Sequence, residues 1–236
     1  MRYEAEGDAL KVTLGTPRYY AGAGVTGRPY SAEEVTELVQ VLADGTRITQ
    51  PQGGQKMWRD SQGRTRTERQ LGVGMHRQPG ETGSFVLAEV RDSVAGFLYV
   101  IDDQAKTARR FTLAARPQPA QRVSPPAGAK VPAFSTEQLG SQNIDGIVAE
   151  GTRSTHTMPI GEIGNDRPIV TTNEAWFSRE LGLTVMSKNS DPRMGDRTTR
   201  LTNVSRAEPD PALFMIPSGY SVVDEKDSVT MILKRQ

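Results

Sequence analysis

The sequence predicts a mainly β protein: a curved antiparallel sheet, half-barrel or open barrel, of about 10–12 strands with few short helices. Three observations carry that expectation. Short runs rich in β-branched and aromatic residues recur along the chain, the spacing of half-buried strands. Turn-forming pairs such as Asp44-Gly45, Asp92-Ser93 and Asp102-Asp103 fall between those runs. Helical spacing over more than a turn or two occurs in a single segment, and that segment is contested.

The first 29 residues read as a loosely ordered arm with one short strand around Lys11–Leu14. The contested segment, 32–43, follows. Ser31-Ala-Glu-Glu34 has a capping-box pattern, and Val35, Leu38, Val39 and Leu42 share one helical face. Against a helix stand its β-branched residues and the Asp44-Gly45 turn leading straight into Thr46-Arg47-Ile48-Thr49. The strand reading is preferred. Trp58 to Arg64 then gives strand, turn, strand, with Gly63 suited to positive φ. Ser84–Arg91, Phe97–Ile101 and Lys106–Leu113 form a meander. Residues 30–113 are thus a first β half.

Ala114 to Ala133 carries five prolines and six alanines in twenty residues. Such a stretch disfavours pairing and favours extended polyproline II, so 114–134 is a linker or long loop. The second half, 135–236, continues one domain with the first. It opens on a short helix candidate, Ser135–Leu139, and continues as strands over Ile147–Thr157, Pro168–Phe177, Leu183–Lys188 and Arg197–Arg206. Breaks fall at Gly161/Gly164, Glu180–Gly182 and Asp191–Gly195, and Val229–Leu233 is placed to close the sheet. Asp44-Gly-Thr-Arg-Ile-Thr49 resembles Glu150-Gly-Thr-Arg-Ser-Thr155, which leaves an internal repeat open, although their unequal distances to the following Trp58 and Trp176 speak against it.

Composition narrows the chemistry. The 236 residues contain no cysteine, which excludes disulfides, thiolate metal sites and cysteine nucleophiles. Net charge is +1, so no overall pull toward nucleic acid follows. No apolar run approaches the roughly 20 residues of a membrane-spanning helix. The two histidines, His76 and His156, show no metal-ligand spacing, and no cofactor is expected. No Gly-x-Ser-x-Gly elbow appears. The adjacent carboxylates Glu33-Glu34, Asp102-Asp103 and Asp224-Glu225 read as turn or surface charges. Gly22-Ala-Gly24-Val-Thr-Gly27 spells a dinucleotide fingerprint, but Arg28-Pro29 follows where a helix would have to begin. Arg59, Arg64, Arg66 and Arg69, with Asp60 and Glu68 among them, read as a solvent-facing row, or less readily as a polyanion face.

One further signal lies in the second half. Glu174-Ala-Trp176-Phe-Ser178-Arg-Glu180-Leu181-Gly-Leu183 leads through Ser190-Asp191-Pro192-Arg193-Met-Gly195 and Arg200-Leu201-Thr202-Asn203-Val204 to Glu208-Pro-Asp210-Pro211-Ala212-Leu213-Phe214-Met-Ile216-Pro217-Ser-Gly219-Tyr220. With Asp44-Gly45-Thr-Arg47-Ile48 and Arg59 to Arg66, this resembles uncharacterised secreted bacterial envelope β proteins. More distantly, it is similar to the lipoprotein-carrier and sigma-regulator-like half-barrels. The match spans about 28–75 and 140–223. The resemblance implies a periplasmic or secreted chain whose signal peptide has been removed. It also implies a concave apolar face for a lipid-like ligand or an envelope protein partner. It brings no catalytic residue. Physically, Pro211-Ala-Leu213-Phe214 would drop an apolar plug under the sheet.

The expected function is non-catalytic binding of an apolar or amphipathic ligand, or of an envelope partner. Trp58, Trp176, Phe177 and Phe214 are the expected ligand-binding residues. Two rivals remain: an interaction module using a strand edge or the Pro-rich loop, and a hydrolase built on Asp60, His156 and neighbouring carboxylates.

Overall fold

The computed structural model describes residues 2–6, 9–14, 20–21, 24–71, 85–115, 133–226 and 229–234. The chain begins with β1 (Arg2–Glu6), β2 (Ala9–Leu14) and the two-residue β3 (Tyr20–Ala21). Next come β4 (Tyr30–Val41), β5 (Arg47–Arg59) and β6 (Thr65–Leu71), then the meander β7 (Phe85–Asp92), β8 (Phe97–Asp102) and β9 (Thr107–Thr112). The short β10 (Ala114–Ala115) precedes β11 (Ala133–Ile144), β12 (Ile147–Met158) and β13 (Ile169–Ser178). β14 (Leu183–Asp191) and β15 (Gly195–Ser205) lead to a 3₁₀ turn, Pro211–Phe214, and then to β16 (Ser221–Glu225) and β17 (Val229–Lys234).

Among the described residues, twelve strands form one open sheet in the order β11-β12-β13-β14-β15-β4-β5-β6-β7-β8-β9-β16. Strands adjacent in sequence mostly pair as antiparallel hairpins, while β16 joins β9 in parallel. The mainly β expectation is met. β1, β2 and β17 make a separate three-stranded sheet, and β3 pairs with β10.

The turns share a local cause. Asp44, Asp92, Asp102, Asn143 and Asp191 each accept a bond on their side-chain oxygen from a backbone N–H two or three residues on. That side chain mimics a backbone turn and fixes the hairpin corner. Gly63 takes φ +84° in the β5–β6 turn, as its sequence context requires.

Three expectations are corrected. Ser135–Leu139 is strand, not helix: it lies inside β11, where Ala133–Gln138 run in unbroken register with β12. Cross-strand pairing overrides a short local helical preference. Val229–Lys234 pairs with β2 and so adds nothing to the large sheet. The first residues are not merely an arm, because β1 and β2 are antiparallel partners. The Asp44 and Glu150 hexapeptides differ in structure as well as spacing: one is a hairpin turn and the other lies within β12. The contested segment 32–43 is strand over most of its length, as preferred. The Pro/Ala-rich segment lies outside the described residues over 116–132, as does His76.

The chain divides into two compact units, interleaved in sequence: 1–33, 53–118 and 204–236 in the first, 34–52 and 119–203 in the second. In the first unit the meander is buried on both faces. Leu98 and Val100 on one face of β8 and Ile101 on the other are all nearly inaccessible. The continuous apolar run in the sequence therefore reflects two-sided burial rather than the single covered face common in antiparallel sheets. In the second unit the buried side chains are fewer and include Ile144, Ile147, Trp176, Leu181, Val185 and Leu201.

Candidate functional site

The first unit brings two of the expected residues together. Cross-strand register aligns Trp58, Arg66, Val90, Tyr99, Arg110 and Asp224 in one row across β5 to β9 and β16. Beside it, Ala88, Ile101 and Ala108 complete an apolar floor. Phe214 sits buried on that floor, with Trp58, Tyr99, Leu213, Ile216 and Tyr220 packed around it. The 3₁₀ turn delivers it: Asp210 accepts from the Ala212 N–H at 2.8 Å, and Pro211 fixes the first position. The apolar plug read from the sequence is therefore present.

Arginines hold the plug in place. Arg64 donates to Asp60 at 2.6 Å and lies 5.3 Å from the Phe214 ring centroid. Arg66 donates to the Leu213 carbonyl at 3.0 Å while paired with Glu68. Arg59 is buried, donates to the Arg28 carbonyl at 2.9 Å and covers the Tyr30 ring at 4.7 Å. Burial pushes its pKa below the ordinary arginine value. Arg69 donates to Gln55. This corrects both readings of the arginine row. It is neither solvent-facing nor a polyanion face, because each guanidinium has a carboxylate, carbonyl, amide or ring as its partner. Tyr220 is held at the far side by Lys106 at 3.1 Å and donates to Asp103.

Gly24 and Gly63 explain the glycine motif better than phosphate binding does. A Cβ on Gly24 would lie 2.6 Å from the Gly63 carbonyl, so the two backbones touch. Gly27 bends the chain at φ +69°, and no helix begins at Arg28-Pro29.

In the second unit, Trp176 and Phe177 point to opposite faces of β13. Trp176 is buried across Gly151, its register partner, where a Cβ would lie 2.7 Å from the ring. Its indole N–H has no acceptor among the described residues. Phe177 is 44 % exposed. The structure thus joins Trp58 with Phe214 and separates Trp176 from Phe177.

Beyond Trp176 on the same face runs an ion ladder that pattern reading missed. Arg153 donates to Glu137 at 2.8 Å and to Glu174 at 2.7 Å. Glu174 stands opposite Lys188, which pairs with Asp196 at 3.2 Å. The hydrogen bond from Ser190, then Lys188, holds the Asp196 carboxyl below its ordinary range. The signal lay in the sign alternation of residues far apart in sequence, visible only once register is known. The opposite face carries Thr152, Ser154, Thr171, Asn173, Ser187 and Asn189. At the sheet's edge, β11 is paired on one side, and Phe134 is 65 % exposed and stacked on His156 at 4.7 Å.

The hydrolase residues have local occupations. Asp60 is buried against Arg64, and His156 is stacked on Phe134. Among the described residues, no group of three His, Asp or Glu side chains could hold a metal ion, and no helix is long and apolar enough to cross a membrane.

No protein-family profile matches the chain, and no curated protein matches it. Solved structures do. The chain is similar to a Pseudomonas aeruginosa MucA/MucB complex structure at 16 % identity and TM-score 0.42, covering 84 % of this chain and 58 % of that one. It is similar to LprF from Mycobacterium bovis at 13 % identity and TM-score 0.30, covering 78 % of this chain and 90 % of that one. It is also similar to a LolA superfamily protein from Nitrosomonas europaea at 8 % identity and TM-score 0.29, covering 83 % and 93 %. The chain spans about three fifths of the length of the MucB structures it matches.

Proposed function

We propose that the chain is a non-catalytic binding protein of the bacterial envelope that takes up a partner polypeptide as an added strand along β11. The edge itself carries this reading. β11 is twelve residues long, pairs with β12 on one side, and has no neighbour on the other among the described residues. Such an edge offers a row of backbone donors and acceptors to an incoming strand, while alternate side chains set its specificity. One blunting device is present, the register shift between Gln138 and Gly140. It leaves Ala133–Gln138 regular, with the exposed Phe134 as an apolar anchor.

The same geometry argues against an enclosed lipid in this role. Phe214 and its neighbours already fill the apolar face of β7–β9 that an acyl chain would need. In the second unit one face carries the ion ladder and the other carries hydroxyls and amides, linings poorly suited to a lipid tail. Trp58 and Phe214 then belong to the plug, while the Phe177 face and β11 remain the presenting surface.

A photoreactive residue placed at Thr136 or Phe134 in cells tests this. The expected result is a crosslink to one discrete envelope polypeptide, absent when the probe stands at Thr198 in β15. An acyl lipid co-purifying in stoichiometric amount, with no β11 crosslink, would sink the proposal in favour of a carrier.

A further inference from the structure

We infer that the end of the second unit formed by its β4–β5, β12–β13 and β14–β15 turns is a surface for contact with a lipid bilayer. Register places these turns together. Met158 at the end of β12 pairs with Ile169 at the start of β13, and Thr172 pairs with Ser190 near the end of β14. Asp191 pairs with Gly195 at the start of β15, and Gly195 packs against the Val39 carbonyl of β4. Gln40 donates to the Met194 carbonyl across the same contact.

Each turn lifts a large aliphatic side chain into solvent. Leu42 opens the first, Ile160 and Ile163 occupy the second, and Met194 tips the third, with exposures of 47 %, 64 %, 56 % and 65 %. The turns at the opposite end behave otherwise. Asp145-Gly146 has no apolar side chain, and 179–182 turns its single large one, Leu181, into the core. The asymmetry is therefore a property of one end.

The middle turn is built rather than slack. The Asn165 side-chain amide donates to the Pro159 and Arg167 carbonyls at 2.8 and 2.7 Å, and its oxygen accepts from the Ile163 N–H. Gly161 donates to the Asn165 carbonyl at 2.8 Å. A loop organised by its own hydrogen bonds could have folded its isoleucines inward. It holds both outward instead, at a desolvation advantage only in an apolar surrounding.

A bilayer suits the tips better than a protein groove. Successive hairpins of one sheet stand about 10 Å apart, two strand spacings, so the tips are single projections without a shared pocket. They carry no Trp or Tyr, the aromatic anchors typical of protein hot spots. In and beside these turns the sequence sets Arg47, Arg167 and Arg193 against Asp44, Glu162, Asp166 and Asp191, and Arg193 is paired with Asp191. Near-balanced charge points to shallow apolar insertion rather than attraction to anionic headgroups.

Sedimentation of the full chain with vesicles of phosphatidylethanolamine and phosphatidylglycerol tests this. The chain should bind, and Ile160→Ser with Ile163→Ser should lower the partition coefficient about tenfold or more. Met194→Ser should lower it less, and Val148→Ser on a strand toward the other end should leave it unchanged. Thermal unfolding of each variant should stay close to the parent, since these side chains are more than half exposed. Failure of the parent to bind, an unaltered partition in the double variant, or binding abolished by raised salt would each overturn the inference. The β11 crosslink is independent of these substitutions, so the two proposals can fail separately.

Discussion

The two units use the same strand chemistry for opposite ends. In the first, β7 to β9 are covered on both faces, and Phe214 is pressed onto Ala88, Val90, Ile101 and Ala108. In the second, most strand residues of β12 are half-exposed, and one face holds paired charges instead of a plug. The difference teaches where specificity can reside. A face occupied by the chain's own 3₁₀ turn is an anchor, and the proposed recognition would fall to the wet face, with its aliphatic tips and an edge unpaired among the described residues.

The sharpest way to break that comparison is to pull the plug. Phe214→Ala should destabilise the first unit by about 3–5 kcal/mol, because the strand-held side chains of the floor cannot close over the lost ring. Urea unfolding followed by the fluorescence of Trp58, in a chain carrying Trp176→Phe, measures it directly. A loss below about 1 kcal/mol would mean that the plug is incidental and the face is open to a ligand.

The second unit has one position of comparable tightness. Gly151→Val would place its side chain into the Trp176 ring, which a Cβ alone would meet at 2.7 Å. The expected cost is about 1–3 kcal/mol, with a shift in Trp176 fluorescence in a Trp58→Phe background. Gly151→Val should leave Trp58 emission unchanged in a Trp176→Phe background.

How much of this was legible in the sequence depends on how far apart the cooperating residues lie. Asp44-Gly45 and Asp92-Ser93 announced their turns because the side-chain oxygen and the bonded N–H are two or three residues apart. Phe214 announced its plug because Pro211 and the apolar run are contiguous. Ser135–Leu139 misled because its local pattern omits β12, the partner that makes it a strand. The arginines misled for the same reason: nothing near Arg66 in sequence reveals the Leu213 carbonyl, 147 positions away. Of the four residues expected to bind a ligand, the two tryptophans and Phe214 turned out to be packed, and only Phe177 stands exposed.

Acid should separate the units more gently. In the second unit Glu150, Asp191 and Asp196 have carboxyls held below their ordinary range, chiefly by Arg179, Arg193 and Ser190 respectively. A carboxylate with a depressed folded pKa contributes stability that is fully present above its unfolded value. That contribution is lost as pH falls through the folded one. The loss therefore begins near pH 3.8 for the aspartates and continues below it. In the first unit Asp224, bonded to Arg110, is the comparable group. Trp176 fluorescence should accordingly change at higher pH than Trp58 fluorescence in single-tryptophan chains. The reverse order would show that the ladder and hairpin charges contribute little.

The smallest expected effect concerns the ladder's centre. Arg153 joins Glu137 and Glu174, but its side chain is 37 % exposed and that of Glu137 is 57 % exposed. Solvent screening discounts both pairs, so Arg153→Met should cost no more than about 1 kcal/mol despite two short contacts. Glu174 is the more covered partner at 18 %, and it keeps Lys188 opposite when Arg153 is gone. The methionine stem still covers the same sheet surface, which isolates the charge from the packing. A double-mutant cycle of Arg153→Met with Glu174→Gln should therefore give a coupling of a few tenths of a kcal/mol, shrinking with added salt. A coupling above about 2 kcal/mol that resists salt would make this face as rigidly built as the plugged one, and the contrast between the units would then lie only in their edges and tips.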